Sequence, residues 1–94
     1  MTMKKIIVLS MEGCPYCQEF KDLLNDGKIE HTVIDIENFS TEYDMFKKIT
    51  SSDYLPGFMI LDEENHTLEC YAADQDFFTI DQAFQLCKTT QEEE

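Results

Sequence analysis

Apolar residues along this chain fall into short unbroken runs and spaced series, and the two kinds alternate. Lys4 to Ser10 contains Ile6, Ile7, Val8 and Leu9 in one run, which predicts a strand covered on both faces. Met11 to Gly13 is a loop. Pro15 suits the first position of a helix, where its missing N–H costs nothing. Phe20, Leu23 and Leu24 then recur at helical spacing, and Gly27 supplies a stop. Ile29 to Ile36 predicts a second strand. Asn38 to Thr41 offers capping residues, and Phe39, Tyr43, Phe46 and Ile49 share one face of a second helix. After a break at Ser51 to Asp53, Leu55-Pro56-Gly57 leads into a third strand, Phe58 to Leu61. Asp62 to His66 is a hairpin turn, and Thr67 to Tyr71 is a fourth strand. A last helix is expected from about Asp74, with Phe77, Phe78 and Phe84 on its core face and Cys87 beyond them.

The order is β-α-β-α-β-β-α, an α/β domain with a mixed four-stranded sheet flanked by three helices. Helices between the early strands imply crossovers and parallel pairing. The Asp62–His66 turn makes the last two strands antiparallel. The domain is expected over residues 1–89, with residues 90–94 as a frayed acidic tail.

Composition narrows the function. The 94 residues suit one domain. Seven Lys and no Arg stand against 20 Asp and Glu, a net charge of −13. Nucleic acid and anionic membranes attract basic patches, so neither is an expected partner. The longest apolar run, Ile6 to Leu9, is too short to span a bilayer, and no secretory leader is evident. A cytoplasmic location follows as an expectation, and there four cysteines do not signal a disulfide scaffold. The charge is uneven. Residues 51–94 carry eleven of the acids and only one of the lysines, Lys88.

Chemistry concentrates at Cys14-Pro15-Tyr16-Cys17, where the first strand hands over to the first helix. Cysteines at i and i+3 in a first helical turn are close enough to form a disulfide. The helix N-terminus supplies unpaired N–H groups and partial positive charge, which stabilise a Cys14 thiolate below the ordinary thiol pKa. Cys17, one turn further in, should be buried. An exposed attacker with a shielded resolver is what disulfide exchange requires. The competing readings are a zinc pair or two inert buried cysteines. Zinc requires four ligands, and no second CxxC or spaced histidine pair is present; His31 and His66 are read as solvated. Leu55-Pro56 adds a second feature. A cis-proline before the third strand would bring the Leu55 backbone beside Cys14, able to pair with an extended substrate.

With these residues in place the chain resembles the glutaredoxins of the thioredoxin-fold superfamily, over roughly residues 3–88. Cys14-Pro15-Tyr16-Cys17 matches the dithiol active site, and Leu55-Pro56 matches the Thr-Val-Pro element. The resemblance implies catalytic Cys14 and Cys17. It implies substrate contacts at Pro15, Tyr16, Leu55, Pro56, Ala73 and Asp74, and no tightly bound cofactor. Glutathione, or a thioredoxin-reductase-type flavoenzyme, is the implied electron donor, and disulfide-bearing proteins are the implied substrates of a monomer. Reduction of ribonucleotide reductase is one such role. A glutathione-dependent [2Fe–2S] dimer is the alternative within the family, and a non-catalytic partner domain the alternative outside it.

The sequence also departs from the family. Met11 stands where a lysine is usual, and Asp53 lies where a basic residue is common. The family's paired glycines, followed by an acidic pair, grip the γ-glutamyl end of glutathione; the corresponding segment here is Ala72-Ala73-Asp74-Gln75-Asp76, without the two glycines. Alanine brings a Cβ to that approach, and two cations are missing for an anionic ligand. Glutathione recognition is therefore expected to be weakened, and Glu12 and Met11 should keep the Cys14 pKa above that of a basic-site relative. Tyr16 is a candidate groove wall. Lys21 is read as solvated, and Lys47 and Lys48 as the remaining candidates for a substrate carboxylate. Cys70 and Cys87 are read as small buried residues, and Asp74 or Asp76 as a cap of the last helix.

Overall fold

A computed structural model describes residues 4–52 and 54–92. Strand β1 (Lys4–Ser10) is followed by helix α1 (Pro15–Asp26), strand β2 (Thr32–Asp35), helix α2 (Ser40–Thr50), strands β3 (Gly57–Asp62) and β4 (Thr67–Tyr71), and helix α3 (Ile80–Glu92). The sheet order is β2-β1-β3-β4. This is the expected mixed α/β sheet with three helices, a thioredoxin fold.

The alternation of β1 divides the core. Ile6 and Val8 face α1 and α3, joining Phe20, Leu24, Phe58, Phe77 and Cys87. Leu9 faces α2 and joins Ile34, Phe46, Met59 and Ala72. An unbroken apolar run is thus what a strand needs when helices cover both its faces. Phe58 anchors the first layer, stacked on Tyr71 at 4.8 Å and near Phe77 at 5.6 Å.

One expectation is overturned. β2 runs parallel to β1, but β3 runs antiparallel to β1 and does not pair with β2. The α2 connection is therefore not a crossover to a parallel strand. It returns the chain to the end of the sheet where β2 finished, with Gly57 opposite Leu9 and Asp35 opposite Ser10. Only this direction sets residues 55 and 56 at the end of β1 that leads to Cys14. A parallel β3 would begin at the other end, about 20 Å away for a strand of this length.

Gly57 makes the return compact. A Cβ there would lie 2.5 Å from Cζ of Phe46, the one fully buried side chain of α2, so helix and strand approach through the missing side chain. The rest of the expected apolar face of α2 is weaker. Tyr43 is half-buried and packs beside Phe46 against the core, whereas Phe39 and Ile49 are exposed.

Local boundaries shift for identifiable reasons. α1 ends at Asp26, with the Gly27 N–H bonded to Leu23 O; Lys28 takes the left-handed turn, and Ile29 N–H bonds back to Leu24 O. This turn consumes the first residues expected in β2. The last helix starts at Ile80, not near Asp74. Thr79 Oγ1 accepts from Gln82 N–H at 3.1 Å, and Gln82 Oε1 accepts from Thr79 N–H at 3.2 Å, a reciprocal capping box. Neither Asp74 nor Asp76 caps the helix. α3 continues through Glu92, past the expected limit at residue 89, while Asp53, Glu93 and Glu94 lie outside the described residues.

The hairpin turn is held by Asp62, whose Oδ2 accepts from Asn65 Nδ2 at 2.8 Å and whose Oδ1 accepts from the N–H of Glu64 and Asn65. The Asn65 side-chain bond leads in holding this carboxyl below its ordinary pKa. No described helix is long and apolar enough to cross a membrane.

Candidate active site

The site forms where β1 ends. Gly13, with a left-handed φ of 81°, turns the chain into Cys14. Cys14 is the N-cap of α1, in extended conformation, and Pro15 begins the helix. An ordinary N-cap offers a side-chain oxygen to an unpaired N–H. Here sulfur takes that place: Cys17 N–H donates to Cys14 Sγ at 3.2 Å. A thiolate at this position gains the same donor together with the positive end of the helix. No acidic residue occupies the first turn of α1 to oppose it.

Cys14 and Cys17 are joined as a disulfide, with Cα atoms 5.2 Å apart. Cys14 is half-buried and Cys17 is fully buried. The asymmetry expected of an attacker and a resolver is therefore built into the first helical turn. The other two cysteines are free. Cys70 is half-buried against the α2 layer, and Cys87 is fully buried in the α1/α3 layer. Burial pushes the Cys87 thiol up to about 12 and raises Cys70, with Asp76 adding to the latter.

The Leu55–Pro56 bond is cis, and Pro56 is fully buried. Among the described residues, no hydrogen-bond partner is found for the Leu55 backbone N–H or C=O. Two grooves flank the active-site turn. One, of about 340 Å3, includes Tyr16, Tyr54, Leu55, Pro56, Ala73, Asp74 and Phe78 in its lining. The other, of about 600 Å3, includes Met11, Glu12, Cys14, Pro15, Lys21 and Asp35. The expected substrate-contact residues thus divide: Tyr16, Leu55, Pro56, Ala73 and Asp74 share the first groove, and Pro15 faces the second.

Between them, the cysteine pair on the first turn and the proline at the head of β3 decide the family. The glutaredoxin family model matches residues 6–64, a span holding Cys14, Cys17, Leu55 and Pro56. The chain belongs to the glutaredoxin family. Comparison with individually curated proteins gives no match.

Several features of this glutaredoxin escaped the sequence reading. Lys21, taken as solvated, lines the groove with Cys14, whereas Lys47 and Lys48 line neither groove; Lys47 pairs with Asp44 and lies over the Tyr43 ring. Phe78, taken as core, is 69% exposed and lines the first groove, together with Tyr54 at 59%. The Thr79-x-x-Gln82 signature was the available signal, because it puts Phe78 before the helix. The alanines also differ. Ala72 is fully buried and packs with Leu9 and Phe46, so its Cβ serves the core; Ala73 alone lines the groove. Asp76 Oδ2 accepts from Ala72 N–H at 2.9 Å, which ties down the loop that carries Asp74 in left-handed conformation.

Proposed function

We propose that this glutaredoxin is a dithiol reductant of protein disulfides in which glutathione recognition is weakened. The observation that carries the reading is the Cys14–Cys17 pair itself: a half-exposed cysteine at a helix N-terminus with a buried partner, at the end of the sheet where Leu55 and cis-Pro56 lead into β3.

The Cys14 thiolate attacks one sulfur of a substrate disulfide. A Cys14–substrate disulfide forms, the substrate S–S bond breaks, and the departing sulfur leaves as a thiolate that takes a proton. Cys17 then loses its proton and attacks Cys14 Sγ. The Cys14–Cys17 bond forms and the second substrate thiol leaves. Two electrons pass to the substrate, and two thiols of the protein become one disulfide. A donor of two electrons, either two glutathione thiols or a flavoenzyme, restores the dithiol. Leu55 would pair with the substrate backbone as a short strand, which holds the scissile disulfide against Cys14.

The weakened glutathione site rests on charge. Met11 stands where the family usually has a lysine, and among the described residues no lysine lines the groove with Leu55, so the carboxylates of an anionic tripeptide meet no cation there. The protein is proposed to act as a cytoplasmic monomer. Reduction of insulin or hydroxyethyl disulfide tests the reading, run once with glutathione and glutathione reductase and once with a thioredoxin reductase system. Turnover with the flavoenzyme and weak turnover with glutathione is expected. Efficient glutathione turnover would overturn the weakened site, and no turnover with either donor would overturn the enzyme. A stable brown dimer after anaerobic reconstitution with iron and sulfide would favour a cluster-bearing role instead.

A further inference from the structure

The groove beside the active site is unusual in what it exposes. Tyr16 comes from the first turn of α1, Tyr54 from the segment before cis-Pro56, and Phe78 from the loop before α3. These rings are 63%, 59% and 69% exposed, yet they line one groove. Rings converging from three separate segments form a surface suited to binding, since scattered exposed apolar residues need no explanation but a shared lining does. The charged side chain within that lining is Asp74, and it is exposed. Its position is fixed by the Asp74 N–H bond to Phe77 O at 2.8 Å and by the Asp76 bond to Ala72.

Aromatic faces beside a carboxylate match one kind of side chain. The stem of Lys or Arg covers apolar surface, its head is attracted to ring faces, and the head also pairs with a carboxylate. The net charge of −13 adds long-range attraction for the same partner. Resting on the disulfide-reductase reading, we propose that this groove selects protein disulfides with a Lys or Arg next to the reactive cysteine, seated between Tyr54 and Phe78 with its head toward Asp74.

The test uses homodimeric disulfides of short peptides that differ only at the residues flanking cysteine: Lys, Gln or Glu. Single-turnover reduction by the reduced protein is divided by the rate with dithiothreitol, which removes differences in the intrinsic reactivity of each disulfide. The Lys peptide should be favoured over the Glu peptide about tenfold, from one screened ion pair and one exposed cation–π contact. The preference should shrink at 1 M salt, where the Debye length falls to about 3 Å. Asp74→Asn should reduce it to about threefold, and Phe78→Ala should slow the Lys peptide most; both positions are exposed, and circular dichroism confirms folding. A second measurement does not need turnover. Cys14→Ser/Cys17→Ser protein should bind fluorescein-labelled serine analogues of the peptides in the same order. Equal binding, no binding, or a preference for the Glu peptide overturns the inference. Ordered binding with no turnover of any peptide keeps the inference and overturns the reductase reading.

Discussion

The chain holds two pairs of cysteines, and the fold treats them oppositely. Cys14 and Cys17 sit at a helix N-terminus, three residues apart, one half-exposed and one buried, and are joined. Cys70 and Cys87 sit in β4 and α3, the first half-buried and the second fully buried in the core, and are free. The first pair receives an N–H from Cys17 at the sulfur of Cys14. The second receives no such help, and burial raises both thiols. Sulfur chemistry is set here by what surrounds each residue, with position on the fold outweighing residue type.

The largest effect should come from removing one member of the first pair. Cys14→Ser should lower disulfide turnover by about 10³-fold or more, because the proposed nucleophile is lost. Cys17→Ser should instead trap the substrate on Cys14 as a mixed disulfide, visible as an added mass. Loss of turnover on Cys87→Ala of similar size would break the comparison, since Cys87 has no place in the exchange.

A second contrast is reactivity in the native reduced protein. With its thiol pushed up to about 12 from 9.0, Cys87 holds about a thousandfold less thiolate than an ordinary cysteine at neutral pH. Iodoacetamide should therefore label Cys14 first, Cys70 more slowly, and Cys87 only after unfolding in urea. Mass spectrometry of timed samples reads the order, and native labelling of Cys87 at the rate of Cys14 would break it.

Much of this was legible from the residues. The CxxC segment between an apolar run and a helical series announced both its placement and its asymmetry, because local sequence sets a helix N-terminus. The direction of β3 was not legible. It depends on where α2 delivers the chain and on the pairing of β3 with β1, a tertiary arrangement that includes the close approach of Phe46 to Gly57. The groove lining was missed for a related reason. Phe77 and Phe78 are adjacent and identical in type, yet one is 2% exposed and the other 69%. Their separation follows from the Thr79 cap, which ends the loop and turns consecutive side chains to opposite sides. Lys21 reads as solvated, yet two helical turns bring it to the groove that holds Cys14.

The buried thiol also predicts a pH effect. Cys87 is protonated in the folded state up to about 12, while the unfolded thiol ionises near 9.0. Above pH 9 the unfolded chain binds fewer protons, so stability falls as pH rises toward 12. The slope approaches about 1.4 kcal/mol per pH unit for one thiol. Urea unfolding in a phosphine reductant should show wild type losing about 1.4 kcal/mol more than Cys87→Ala between pH 8 and pH 10. Cys70 shifts in the same direction but is common to both proteins and cancels in the difference, as does Tyr71 apart from the smallest part of its shift, which Cys87 supplies. Equal losses would mean that Cys87 is less sealed than its packing implies.

The smallest effect probes how far the first pair depends on side-chain charge. Met11 is 39% exposed and lines the groove that holds Cys14, with Glu12 beside it and Lys21 across it. Met11→Lys adds a cation where the family usually has one. At a partly exposed site its interaction with a thiolate is worth about 0.5–1 kcal/mol, so the Cys14 pKa should fall by roughly half a unit. Ultraviolet titration of the thiolate in a Cys17→Ser background isolates Cys14 from its partner, with and without Met11→Lys. The shift should weaken in 1 M salt, as a screened charge requires. An unchanged pKa would assign the ionisation of Cys14 to the helix end and the Cys17 N–H alone. The contrast with Cys70 and Cys87 would then rest on backbone geometry, and the loss of the family lysine would bear on glutathione without touching the nucleophile.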